Sequence, residues 1–560
     1  MKKPAAIHFT AKHITWLVGG FIILYLLSSL IHLGYFPLNG EEPRRAIVSI
    51  EMLESGNYIK PTTLGWEYYN KPPAYNWIMS FCMWITGSTN EFAVRLPSVF
   101  FILLWGICNY YIMKKMMPAN IAALSSVFLV TTFELYFWGL NNGGEIDIFY
   151  SFIVYLQAMS IYYFSLNKRW SALYVSSYLF CAIGFLTKGY PSLIFQALTL
   201  LALCVHLRSL RPVFKWQHIL GVAVFAAVVG GYLYAYSFYS SPTKLLTNLL
   251  RESFIKSAVG ENSDKLFKKT ISYPILFSKI VMPWALFLLL LLKKHRFRVW
   301  QNPLIRYSLL FVLFNIPVYW FTGIPKTRYI YMFIPFCTIA FAWIYYKTKE
   351  EHPSLIAKVE KYMVIVFLIL LAGLAAVPFI VAVNYIWLGI AIIALLVYLY
   401  GYKKMGGYQV WYFATGLVLA RVIYALVFIP VQTAGLKVKY RDEMAQMAKA
   451  NDYGQLNIYK KPQPWAVEID LKITKLRFDT IYASPPLAYQ MPYYYYQQTG
   501  HVVKYDTTII PGKNYIGLLS ELKDRNPHIL YQFQDKHQHN DHAILFQLPD
   551  TGNKQKETAH

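Results

Sequence analysis

The sequence predicts a polytopic α-helical membrane protein with a C-terminal α/β domain outside the membrane. Three observations carry this reading. Of 560 residues, 56% are hydrophobic and 14% charged, whereas a soluble domain carries about 25% charged residues. The apolar residues gather into about thirteen uncharged runs of roughly 17 to 25 residues, the length a helix needs to cross about 30 Å of hydrocarbon. From about Thr433 the composition turns polar.

The N-terminus, MKKPAAIHFTAKH, precedes an apolar run from Ile14 to about Tyr35. No small-residue cleavage site follows and the run is long for a signal peptide, so it reads as an uncleaved first span. The spans are expected near 15–36, 93–113, 119–139, 146–166, 170–187, 189–207, 217–240, 274–292, 304–322, 329–346, 362–383, 386–402 and 409–431. Segment 74–87 (AYNWIMSFCMWITG) is apolar but short, as an interfacial or re-entrant helix would be. With the N-terminus inside, the cytoplasmic loops hold Lys114–Lys115, Lys168–Arg169, Arg208, Arg211, Lys215, Lys293–Lys294, Lys347, Lys349 and Lys403–Lys404. Every such loop is basic, which obeys the positive-inside rule. The net charge of +25 is therefore a topology signal and does not point to nucleic acid.

Residues 1–432 form the expected membrane domain, with longer outward segments at 37–92 and 241–273, and residues 433–560 the outer domain. Within the latter, runs such as QLNIY and DTIYA read as strands, and Ser484-Pro485-Pro486 and Pro511-Gly512 as turns. The five cysteines fall in or beside apolar segments, so neither a disulfide framework nor a CxxC site is indicated. The stretch His537–His542 reads as a solvated loop.

The first outward segment opens with Asn39-Gly40-Glu41-Glu42-Pro43-Arg44-Arg45. A carboxylate here can act as a general base, and an arginine three residues on can hold an anion through paired hydrogen bonds. Acids followed by proline equally suit a helix start. Asp147 begins a span after the turn 141–145, where it serves either as a cap or as a site residue, with Glu145 beside it. Lys188, Lys326 and Arg328 are cations on the side where the charge rule disfavours them. Lys188 sits in Thr187-Lys188-Gly189-Tyr190-Pro191, a turn at which a lysine also simply snorkels. Trp66, Tyr68 and Tyr69 are candidate contacts for a sugar or lipid.

The blocks E-E-P-R-R-A, E-M-L-E-S-G-N-Y-I-K-P, Y-Y-N-K-P-P and E-F-A-V-R-L-P-S resemble the aminoarabinose transferase branch of the protein O-mannosyltransferase superfamily. The resemblance is clearest from about Leu38 to Pro97. It implies a GT-C fold and a sugar donor carried on a polyprenyl phosphate. It further implies catalytic roles for Glu41, Glu42 and Asp147, and donor-phosphate contacts from Arg44, Lys71, Lys188, Lys326 and Arg328. Beside these, Trp66, Tyr69 and Glu145 are candidate substrate contacts. Glu41 stands where the family usually has Asp. Asn70 replaces a glutamate often found before the lysine, so no metal is expected to be required.

The expected activity is inverting glycosyl transfer from a polyprenyl-phosphate sugar to an outer-leaflet acceptor, a lipid A-like glycolipid or a protein. Serine or threonine O-mannosylation is the alternative acceptor chemistry, and a lipid-linked sugar flippase the non-enzymatic one. Basic inner loops, no disulfides and no organellar presequence suggest a bacterial inner membrane, with the site and C-terminus on the periplasmic side.

Overall fold

The computed structural model describes residues 11–141, 143–255, 263–290, 298–320, 326–402, 409–430, 439–459, 465–470, 475–480, 488–534 and 541–549. Among them, eight helices are long and apolar enough to cross a membrane: Glu91–Lys114, Asp147–Leu166, Trp170–Lys188, Gln217–Ser237, Thr327–Glu351, Pro353–Phe379, Tyr385–Tyr402 and Gln409–Phe428. The chain is a multi-pass membrane protein. Shorter apolar helices, Gly19–Leu30, Ala119–Val130, Pro191–Leu207 and Pro303–Tyr319, occupy other expected span positions. The run expected as one span over 274–292 is instead a pair, Ser272–Ile280 and Trp284–Leu290, bent by 109°. Pro283 between them has no N–H to continue the ladder.

Inside the first long loop, helix Glu42–Ser55 begins with Pro43 in its first turn and ends at Gly56, whose φ of 66° suits glycine. It packs on helix Ala74–Thr86. Asn76 Nδ2 donates to the Arg45 carbonyl and to Ser49 Oγ, both at 3.0 Å, and Ser80 Oγ donates to the Ser49 carbonyl at 3.0 Å. Helix Ala74–Thr86 buries Tyr75, Met79 and Met83 and exposes Phe81, Trp84 and Ile85. One apolar face of this helix therefore remains exposed.

The C-terminal part contains a five-stranded mixed sheet in the order Lys504–Asp506, Asn457–Tyr459, Asn514–Leu518, His542–Gln547, His528–Gln534. The first two pairings are parallel and the last two antiparallel. Helices Lys439–Ala450 and Gln490–Thr499 share a core with it through Met444, Met447, Ile458, Met491, Tyr495 and Ile516. An antiparallel ribbon, Trp465–Asp470 with Lys475–Thr480, stands apart from the sheet. Residues 535–540, with most of the histidine stretch, lie outside the described residues.

The sheet's helices also reach the first loop. The Leu38 N–H donates to Tyr494 Oη at 2.9 Å, and that hydroxyl donates to Glu91 Oε1 at 3.1 Å. Arg441 pairs with the same glutamate. Tyr493 and Gln497 both donate to the Thr89 carbonyl at 3.0 Å, and the Tyr505 N–H donates to the Leu64 carbonyl at 2.8 Å. The run Tyr493–Tyr496 is thus packing and anchoring material.

Candidate active site

Glu42 is the anchor of the first loop. Arg95 reaches it with both sides of its fork, Nε to Oε1 at 2.9 Å and Nη2 to Oε2 at 2.8 Å, and both side chains are fully buried. The N–H groups of Gly144 and Asn39 add bonds of 2.9 and 3.1 Å. The other guanidinium hydrogens are taken by the carbonyls of Leu33, Phe36 and Pro37. Both oxygens of this carboxylate are thus engaged within the protein, an anchoring arrangement beside the catalytic role expected for Glu42. Only glycine fits at 144, where a Cβ would stand 2.7 Å from Val94 Cγ1.

Glu41 has a different setting. It is the residue before the helix, makes no cap, is 37% exposed and pairs with Arg44 one turn on. The Arg44 guanidinium lies 5.3 Å from the Tyr489 ring centroid. Gly40 has φ +60°, and a Cβ there would lie 3.3 Å from Glu145 Oε1, so the Glu41 backbone runs beside the turn that carries Glu145 and Asp147.

That turn holds a dense charge cluster. Lys188 Nζ donates to Asp147 Oδ1 at 2.6 Å, and Arg328 Nε stands 3.3 Å from Asp147 Oδ2 while its Nη1 pairs with Glu145. The Lys188 ammonium is caged by the rings of Tyr150, Tyr319 and Tyr329 at 4.9, 5.3 and 4.7 Å. Burial pushes the Glu145 carboxyl up to about 8 against the pull of Arg328.

Beside the cluster lies a cavity of about 350 Å³ lined by Trp138, Gly139, Glu145, Asp147, Ile148, Leu276, Lys279, Lys326, Thr327, Arg328 and Tyr331. Lys326 and Arg328 line it as phosphate-binding cations would. Lys188 is not among the lining residues, and its ammonium meets Asp147. Arg44 and Lys71 are not among the lining residues either, and Lys71 Nζ donates to the Asn70 carbonyl at 2.9 Å. Trp66 packs on Tyr505 with centroids 5.4 Å apart, and Tyr69 is buried with its hydroxyl on Glu67. Trp66 stays half-buried there.

Sequence reasoning missed Lys279 and Glu134. Lys279 Nζ is 3.7 Å from Glu134 Oε2, and Tyr331 donates to Glu134 Oε1 at 3.4 Å. The signal was available, since each is a lone charge inside an apolar run, a usual mark of function in membrane helices. Among the described residues no group of three or more His, Cys, Asp or Glu is arranged to hold a metal.

Across 96% of this chain, the structure superposes on the crystal structure of ArnT from Cupriavidus metallidurans bound to undecaprenyl phosphate, covering 98% of that chain, at a TM-score of 0.67 and 14% identity. The chain has the ArnT fold. Its residues 70–234 match the family model for dolichyl-phosphate-mannose-protein mannosyltransferase. Two curated relatives bear the same name, undecaprenyl phosphate-alpha-4-amino-4-deoxy-L-arabinose arabinosyl transferase. The one from Photorhabdus laumondii is 32% identical over 197 residues, 33% of each chain. The one from Serratia proteamaculans is 27% identical over 303 residues, 52% of each chain. The matches span about a third to a half of the length of these curated relatives. On the ArnT fold, the cluster described here draws on four separated pieces of chain: the first loop, the turn 143–147, Lys188, and residues 326–331.

Proposed function

We propose that this protein transfers a sugar, with inversion, from a polyprenyl phosphate to an acceptor at the periplasmic face of a bacterial inner membrane, a lipid A-like glycolipid being the favoured acceptor. The observation that carries it is the cavity whose wall holds Lys279, Lys326 and Arg328 together with Asp147. When the acceptor oxygen attacks the anomeric carbon, the electron pair of the breaking C–O bond goes to the leaving phosphate. Fixed cations in a partly dehydrated cavity stabilise that charge. The curated relatives' names and the undecaprenyl phosphate in the ArnT crystal supply the donor class.

In this reading Lys326 and Arg328 hold the phosphate, with side-chain cations supplying the charge and no divalent metal required. Lys188 fixes Asp147, and Glu41 either takes the acceptor proton or orients the acceptor. A phosphate nucleophile on lipid A scarcely needs a base, which favours orientation. The match of residues 70–234 to the mannosyltransferase family model favours a second acceptor class, protein serine or threonine.

Purified protein incubated with undecaprenyl-phosphate sugar and either lipid A or a serine-rich peptide decides among these. The expected result is glycosylated lipid A by mass spectrometry, with product lost in Glu41→Gln while that variant stays folded and inserted. Glycopeptide alone would shift the acceptor. Translocated donor with no covalent product would replace the enzyme reading by a flippase.

A further inference from the structure

Arg421, on helix Gln409–Ile423, is fully buried, yet among the described residues its hydrogen bonding is limited to a long contact, Nη1 to the Phe137 carbonyl at 3.5 Å. Its Nε and Nη2 have no hydrogen-bond partner among the described residues, and no described carboxylate pairs with it. Its neighbours are aromatic faces, Phe137 at 5.9 Å and Tyr424 at 5.4 Å. An arginine so placed in a membrane domain is costly and is retained for function more often than for stability.

Two local distortions flank it. Residues Glu134–Gly139 and Tyr424–Phe428 are each wound as a π-turn, and the two turns touch through Phe137 and Tyr424, with rings 5.7 Å apart. Asn141 Nδ2 also donates to Tyr424 Oη at 2.8 Å. Such turns are rare and gather at functional sites. The first one has two faces. Tyr136 and Phe137 point to the Arg421 side, where Tyr136 stacks on Tyr25 at 4.5 Å. Trp138 and Gly139 line the cavity, and Glu134 meets Lys279 and Tyr331 beside it.

The geometry points to Arg421 as a positioning residue that holds the turn Glu134–Gly139 in its widened form and so sets the cavity wall that carries Glu134 and faces Lys279. The guanidinium grips the turn by one carbonyl and one ring while bearing on the second turn through Tyr424. None of its described partners lines the cavity, so it acts through the turn. This inference rests on the donor-phosphate reading of the cavity.

The test uses the full purified chain, undecaprenyl phosphate as the probe, and hydrogen–deuterium exchange of peptides covering 134–139. R421M is expected to weaken probe binding about tenfold and to speed exchange in that segment. R421K, which keeps a cation between the two rings, restores most of both. In the double variant with K279M, the losses are less than additive, because both changes disable the same wall. Wild-type affinity together with unchanged exchange in R421M overturns the inference, as does a lowered melting temperature with neither change. Should the unmodified protein fail to bind the probe, the donor reading falls, and the exchange comparison still decides for or against Arg421.

Discussion

Arg95 and Glu42, 53 positions apart, form a bidentate pair in which neither side chain is accessible to solvent. The pair ties the first loop to helix Glu91–Lys114, and through the Gly144 N–H to the turn before Asp147. Removing one partner strands a buried charge, which costs about 3–5 kcal/mol. Glu42→Gln or Arg95→Met is therefore expected to lower the melting temperature in detergent sharply and to reduce the yield of monodisperse protein. A wild-type melting curve for Arg95→Met would remove the anchor role.

Glu145 predicts a pH dependence. Its carboxyl is raised to about 8 by burial, so it is neutral below that pH and becomes an anion competing for Arg328 above it. The folded state holds this proton where the unfolded chain, near 4.5, has released it. The associated stability is complete at low pH and is lost as pH rises from about 4.5 through 8. Transfer should fall on the alkaline side of about pH 8, and Glu145→Gln should flatten that limb. A variant profile that superimposes on wild type would exclude the group.

Arg328 meets both Glu145 and Asp147 and lines the cavity. Arg328→Met should reduce turnover by about 10²–10³, the usual loss for one preorganised electrostatic contact. Arg328→Lys should recover a part only, since a lysine cannot span two carboxylates with a fork. Steady-state kinetics with varied donor measures this.

Tyr494 predicts a coupling between the two ends of the chain. Tyr494→Phe leaves the Leu38 N–H without its acceptor and should cost about 1–3 kcal/mol. The change should appear as faster proteolysis within 37–92. Unaltered cleavage of that segment in the variant would show that the hydroxyl does not restrain the loop.

Helix positions were legible because apolar length and loop charge are local properties of the chain. The helix Ala74–Thr86 is an instance: a short apolar run, together with the loop charges that one more span would have reversed, set it apart from the expected spans. Roles were less legible, because they depend on which distant group arrives. Glu41 and Glu42 are adjacent and chemically alike, yet only Glu42 meets Arg95, and nothing in E-E-P-R-R reveals that partner. Lys188 stood out as a misplaced cation, but its cage of Tyr150, Tyr319 and Tyr329 comes from three separate helical segments. Lys279 and Glu134 were visible as lone charges, and became meaningful only when folding put them 3.7 Å apart.

The bond between Leu38 and Tyr494 crosses 456 positions of sequence. A chain made from N- to C-terminus exposes the first loop early and completes its clamp only after the helices that precede Tyr494 have emerged. Until then Glu41 has no Tyr489 ring beside its arginine partner. The loop thus gains its clamp only after the spans before Tyr494 have been made, and a nascent chain stalled in those spans would sit in the bilayer with the loop beside the charge cluster unclamped.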